Sequence, residues 1–353
     1  MRGRGERLAG RLPEREVDLL LVTNLVNVRY LTGFGGTNGA CLCGADTRIL
    51  FTDFRYTERA EEEVEEWDVV TISDDWLGGI AERLAGRTGF EDDHLTVRTL
   101  KRLEGKLEDR EVELVPSSGA VERLRRVKDG AELDAIAAAA GLADGVWRWS
   151  LERGLAGKSE REVARAAEAR IRELGGEPSF PAIVAAGPNG ALPHAEPGER
   201  KIGNAELVVF DMGAVVDGYC SDGTRTFATG EPGGRAREIY ELVLRAQAGA
   251  LEAVAVGVGG EALDQVARDR IDTAGHGEHF GHGLGHGVGL EVHEAPRLSR
   301  RSEDLLEAGE VVTIEPGVYL PGEFGVRIED LVVVTEDGHR NLSGMPKELQ
   351  IVD

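Results

Sequence analysis

Cysteine is nearly absent from this 353-residue chain, which carries three, Cys41, Cys43 and Cys220. They are too few and too unevenly spaced for a disulfide framework or a paired CxxC zinc site, so a reducing cytoplasm is the expected compartment. Also missing are an apolar run of about 18 residues and a Lys-flanked apolar start with a small-residue cleavage site. A soluble, untargeted protein with no membrane partner is expected. Positive charge is short as well: 41 Lys and Arg face 64 Asp and Glu, for a net charge of -23. A surface this negative repels phosphate backbones and anionic lipid alike, so nucleic acid is excluded as a partner. Only six of the basic residues are lysines. An acidic, lysine-poor protein suits a high-salt cytoplasm, where screening relieves self-repulsion. An ordinary acidic protein of a GC-rich genome has the same composition, and composition leaves both readings open.

The length favours two domains, and apolar residues, 41% of the total, run through the whole chain. Between residues 18 and 121, short apolar runs at 19–22, 40–43 and 48–51 alternate with helical segments such as 57–67, the pattern of a small α/β domain. A charged stretch at 122–128 leads to Asp129, an N-cap whose capping-box partner is Glu132, and a helix is predicted to about residue 151. The boundary is placed there, giving domains 1–126 and 127–353. A second helix is predicted from the Ser159 and Glu162 capping box to Gly175 and Gly176. Then come a hairpin over 206–228, two helices over 235–256 and 261–274, and a hairpin over 311–335. The order helices, hairpin, helices, hairpin reads as a degenerate internal repeat.

Asp211 and Asp222 lie on the two arms of the first hairpin, symmetric in number about Val216 and Asp217. They are expected nearly opposite one another, with Cβ atoms about 5 Å apart. Two carboxylates that close repel unless a cation lies between them. Taken alone, a pair of aspartates facing solvent near a turn is the better reading. The second hairpin repeats the arrangement with Glu315 and Glu329, symmetric about Gly322, and Arg327 shares a face with Glu329 by the period-two rule. The flanks here are apolar, and a buried salt bridge to Arg327 would explain one glutamate but not two. Between the hairpins, Phe280 to Glu294 carries His282, His286 and His293 on a glycine-rich backbone that allows close approach of main chain to an ion or substrate. It is neither a phosphate loop nor an HExxH helix. Four carboxylates and an imidazole form an oxygen-rich set suited to two divalent ions, Mn²⁺ or Co²⁺ before Zn²⁺.

These residues resemble the metallopeptidase family M24, which includes prolidase, aminopeptidase P and methionine aminopeptidase. Asp211 and Asp222 in DMGAVVDGYCSDGTRTF, His286 in GHGLGHGVGLEVHE, Glu315 in TIEPGVY and Glu329 in GVRIED match the family's five metal ligands one for one. His194 in GPNGALPH resembles a substrate-binding histidine, His293 the one set against the tetrahedral intermediate, and His282 and Arg327 align with supporting positions near substrate. The segments 27–34 and 53–56 look like the amino-terminal domain of the prolidase and aminopeptidase P branch, so the resemblance spans nearly the whole chain. It implies an α+β chain, with a small α/β amino-terminal domain followed by a pseudo-symmetric catalytic domain of the pita-bread, or creatinase/aminopeptidase, fold.

The resemblance further implies a cytoplasmic homodimer that hydrolyses a small peptide with proline in second position. An activated water attacks the carbonyl before proline, Glu315 shuttles its proton and His293 stabilises the oxyanion. Arg297 is placed to bind the carboxylate of a free dipeptide, as in a prolidase, or is an exposed surface residue; the two readings have near-equal weight. Alternatives are aminopeptidase P acting on longer peptides, a peptide-binding member that does not cut, and a metal-free hydrolase of the same fold. Cys220 is left out of the site, and Tyr219 and Tyr319 either shape the pocket or pack in the core, the second being the favoured role.

Overall fold

The computed structural model describes residues 3–352. The chain divides into two compact units, residues 1–125 and 126–353. The first is a mixed six-stranded sheet in the order Asp68–Thr71, Arg48–Thr52, Gly39–Gly44, Leu19–Val22, Gly86–Phe90 and Val112–Pro116. Leu21, Leu42 and Phe51 pack there against Ile80, Leu103 and Leu107, the last two from the helix Val97–Leu107. The helix expected over 57–67 stops at Glu63. Acidic residues crowd this end, Glu61 to Glu63 with Glu65 and Glu66 beyond, and negative charge is unfavourable at a helix C-terminus.

In the second unit both predicted capping boxes form. Asp129 and Glu132 start the helix Gly130–Leu151, and Ser159 and Glu162 start Glu160–Glu173, with Gly175 beyond its end at φ +88°. These helices cover a four-stranded sheet ordered Ile351–Val352, Thr224–Thr229, Leu207–Asp211 and Ile183–Ala186, burying Phe210 and Phe227 against Val163 and Ile171. The second pair of helices, Gly234–Glu252 and Gly260–Thr273, covers a five-stranded sheet ordered Glu294–Leu298, Gly285–Gly287, Val311–Ile314, Asp330–Thr335 and Gly338–Asn341. Its core joins Tyr240, Leu263 and Ile271 to Val312 and Val332. Each sheet rests on a helix pair, which is the repeat the sequence suggested, and Ile136 and Ala140 of the first helix also share a core with Val311, Leu331 and Val333 of the second sheet.

The hairpins behave differently. The second has the expected register: Ile314 pairs Asp330 and Gly317 pairs Arg327, centred on Gly322 at φ +78°. The first is shifted. Asp211 pairs Thr224, not Asp222, and Val216 pairs Tyr219. The cause is the turn, because Asp217 at φ +49° and Gly218 at φ +82° form a two-residue link of the kind that matches strand twist. This moves the hairpin centre one residue along from Val216 and Asp217 and puts Asp222 diagonal to Asp211.

Between those aspartates the ladder bends at Gly213, where an added Cβ would meet the Ser221 carbonyl oxygen at 1.9 Å. Gly213→Ala is therefore expected to force the arms apart and destabilise the protein by about 1–3 kcal/mol. Denaturation in urea measures this, and an unchanged midpoint would refute the close approach.

Candidate metal centre and its cavity

The two hairpins meet edge to edge. Glu329 N–H donates to the Thr224 carbonyl (3.0 Å), Thr226 Oγ1 to the Arg327 carbonyl (2.9 Å) and Arg327 N–H back to Thr226 Oγ1 (3.1 Å). Buried Arg225 strengthens the seam, pairing with Asp330 at 2.7 Å and donating to the Glu329 and Met345 carbonyls. Carboxylates from both hairpins are thus brought together. Asp211, Asp222 and Glu329 offer oxygens within 4.8 Å of one another, and Asp222, His286 and His293 form a second such group.

The charges do not balance. Arg327 sits among Asp211, Asp222, Glu315 and Glu329, and its guanidinium is spent on one of them, Asp211 Oδ2 at 2.5 Å. Among the described residues, Asp211 Oδ1 and Glu329 Oε1 are buried without a hydrogen-bond partner. Burial, followed by the neighbouring carboxylates, pushes Asp222 and Glu329 well above the usual carboxylate range. Burial also raises Asp211, against the pull of Arg327. Glu315 is the exception: burial acts upward, but His286, His282 and Arg327 outweigh it and hold the carboxyl at about 2.

His286 points to the same missing charge. Its Nδ1 lies 3.1 Å from the Gly287 carbonyl and so carries the proton, leaving the Nε2 lone pair 3.5 Å from Asp222 Oδ2 and 3.3 Å from Glu315 Oε1. A lone pair facing two carboxylates is repulsive unless a proton or a cation stands between them. Burial lowers His286, yet Glu315 and Asp222 more than reverse this and raise it, which is the proton's version of the same demand. Orphaned oxygens, surplus negative charge and an inward-facing imidazole make these residues a fit for divalent metal.

All ten side chains singled out from sequence, namely Asp211, Asp222, Glu315, Glu329, His194, His282, His286, His293, Arg297 and Arg327, line one cavity of about 440 Å³. Phe180, Ile183 and Val292 supply apolar wall. His282 and Arg327 are turned to protein partners. Arg327 donates to Tyr319 Oη (2.8 Å), Thr224 Oγ1 (2.9 Å) and the Pro193 carbonyl (3.2 Å) as well as to Asp211. His282 Nδ1 is 2.8 Å from the Gly283 carbonyl and Nε2 is 2.8 Å from Tyr319 Oη. Burial holds His282 neutral, so it accepts the tyrosine proton and keeps no ring nitrogen for substrate.

Tyr319, for which core packing was the favoured expectation over shaping the pocket, is therefore the link between His282 and Arg327. Thr224 and Thr313 were not foreseen either. Thr224 donates to Glu329 Oε2 at 2.7 Å, while Thr313 donates to Glu315 Oε1 at 3.2 Å and accepts from His286 N–H at 3.1 Å. The available signal was strand alternation, which puts Thr313 two residues before Glu315 on the same face. Cys220 is buried among apolar side chains.

Residues 134–336 match the sequence model of metallopeptidase family M24, and residues 4–127 that of the creatinase/prolidase N-terminal domain. The chain belongs to metallopeptidase family M24: it is a peptidase of two-domain creatinase-type architecture, in a family that works with divalent metal. Among individual proteins, it is 36% identical to the Xaa-Pro dipeptidase of Pyrococcus furiosus, over 99% of this chain and 100% of that one. The structure of a Xaa-Pro dipeptidase from Bacillus anthracis superposes with a TM-score of 0.95 at 39% identity, covering 99% of both chains. That of an X-Pro aminopeptidase from Thermotoga maritima gives 0.91 at 34% identity, over 99% of this chain and 100% of the other.

If the cluster holds metal, saturating manganese will stabilise the folded protein, by about 2.7 kcal/mol at a hundredfold excess over Kd. Calorimetry after chelation and after manganese addition measures this. Glu329→Gln, which removes one of the repelling charges, is expected to be more stable than wild type without metal and to gain less from it. Equal gains in both proteins would show that manganese binds elsewhere.

Proposed function

We propose that this peptidase is a Xaa-Pro dipeptidase using two divalent ions, manganese or cobalt before zinc. Asp211, Asp222, His286, Glu315 and Glu329 would hold them. Bound there, such ions polarise a carbonyl and acidify water near neutral pH. The substrate is oriented by the cavity wall, with His194 on one side and Arg297 on the other. Glu315, partly open to the cavity, takes the proton of the attacking water and delivers it to the proline nitrogen as the C–N bond breaks. His293 donates an N–H to the carbonyl oxygen as that oxygen gains charge. Burial, then His286 and Arg297, lowers His293, so the donor is a neutral imidazole. In this reading His282 and Arg327 act near the substrate as supports, joined through Tyr319.

The observation that carries dipeptide specificity is Arg297. It lines a cavity of about 440 Å³, and its guanidinium makes no hydrogen bond or ion pair with the described residues. A lone exposed cation beside a small peptide site suits the carboxylate that directly follows proline in a dipeptide. The likeness to an X-Pro aminopeptidase supports the second reading, that longer peptides are cut. The reading further places the chemistry in residues 127–353, with 1–126 a separate domain, in a cytoplasmic homodimer. Adaptation to high salt is carried along with this reading, the charge of -23 fitting it as it also fits an ordinary acidic protein. No helix among the described residues is long and apolar enough to cross a membrane.

Hydrolysis of Ala-Pro and of Ala-Pro-Ala, with manganese and after chelation, decides between the readings. The expected outcome is metal-dependent cleavage of the dipeptide, with Arg297→Ala raising KM about tenfold or more and leaving kcat little changed. Faster cleavage of the tripeptide, indifferent to Arg297→Ala, favours the aminopeptidase, and no cleavage with any metal removes both. Thermal unfolding is expected to shift upward between dilute buffer and molar potassium chloride, and a downward shift would count against salt adaptation.

A further inference from the structure

The histidine-bearing segment is organised from inside by an ion pair that the chemistry above does not use. Lys128 Nζ lies 2.7 Å from Glu294 Oε1, with side chains only 1% and 8% exposed, and also donates to the Arg126 carbonyl at 3.1 Å. Glu294 directly follows His293. Its carboxylate fills the inner side of the arch that runs from His286 to His293: a Cβ on Gly289 would lie 2.3 Å from Glu294 Oε1. The arch is closed at its crown by Gly289 N–H donating to the Glu291 carbonyl (3.0 Å) and tied outward by Cys220 N–H to the Gly289 carbonyl (2.7 Å). At its feet the rings of His286 and His293 meet edge to face, centroids 4.3 Å apart and planes at 81°. Lys128 is held in turn at its backbone, where its N–H donates to the Gly309 carbonyl at 3.0 Å.

We propose that the Lys128–Glu294 pair positions His293. A buried ammonium clamps the carboxylate, the carboxylate sets the arch, and the arch stands the His293 ring against His286 and into the cavity. Neither Lys128 nor Glu294 touches substrate; both act through His293. The inference rests on the reading of His293 as the group that stabilises charge on the scissile carbonyl. Because that contact matures only in the transition state, loosening it lowers kcat and kcat/KM together and leaves KM nearly unchanged. Partners that orient a catalytic-site histidine typically contribute 10–100-fold.

Breaking one half of a buried pair risks unfolding, whereas replacing both halves with apolar groups of similar volume is often tolerated. The informative protein is therefore the double variant Lys128→Met with Glu294→Met, beside Lys128→Arg, which keeps the charge. Metal stoichiometry and kcat and KM for Ala-Pro are measured on the manganese-loaded proteins, and the histidine ring signals in ¹⁵N-histidine NMR spectra on the chelated forms, which lack the paramagnetic ion, with His293→Ala assigning the relevant peak. The expected result is unchanged stoichiometry, kcat down 10–100-fold at nearly constant KM in the double variant, recovery of most of kcat in Lys128→Arg, and a displaced His293 signal. An unmoved His293 signal overturns the proposal whether or not any peptide is cut, as does wild-type kcat or loss of metal along with kcat in the double variant. If wild type cleaves neither Ala-Pro nor Ala-Pro-Ala, the dipeptidase reading fails by itself, and the NMR signal still decides whether the pair positions His293.

Discussion

Uncompensated negative charge is the constraint around which the second domain is built. Four carboxylates converge around Arg327, whose guanidinium is already committed to Asp211. Without a further cation the cluster opposes folding through repulsion and desolvation. The surrounding structure holds it together. Two hairpins are joined by backbone bonds and by Arg225, and both ride on helix pairs with apolar cores. The site can be rigid and charged because the strands that carry it are buried and locked independently of the charge.

Around this cluster, polar groups act in short chains. Arg327 is shared by Asp211, Thr224, Tyr319 and the Pro193 carbonyl, so one side chain links the carboxylates to the wall bearing His194. The Tyr319 hydroxyl donates a hydrogen bond to His282, and Thr313 serves both His286 and Glu315. Each of these groups meets its hydrogen-bonding needs within the protein. Among the described residues, the groups facing the cavity with capacity to spare include Arg297, His194, His293, the His286 Nε2 lone pair and carboxylate oxygens, which suits a small substrate bound at its scissile carbonyl and at a negative end.

Much of the site was legible before folding was considered. Residue types and spacing picked out Asp211, Asp222, Glu315 and Glu329, the family resemblance singled out His286, and all five line one cavity. The second hairpin was read to the residue because Gly322 at its centre leaves little choice of turn. The first was misread by one residue because number symmetry took no account of where φ > 0 could be met, and Asp217 with Gly218 meets it. For Tyr319 core packing was favoured over a role at the pocket because an aromatic in an apolar strand is usually that. Only the positions of His282 and Arg327 show that its hydroxyl has work to do.

By itself, the sequence determined what is local: capping boxes at Asp129 and Ser159, the alternation that places glutamates and threonines on one strand face, the glycines that let the 280–294 segment arch, and the inventory of charge. These depend on contacts within a few residues, where chain connectivity already does most of the ordering. Tertiary structure alone decided which carboxylate takes Arg327, 116 residues from Asp211 in sequence, and which takes Lys128, 166 residues from Glu294. Such pairings are set by how the helix pairs pack under their sheets. Their strength comes from burial, which the sequence does not display until the core has closed around them.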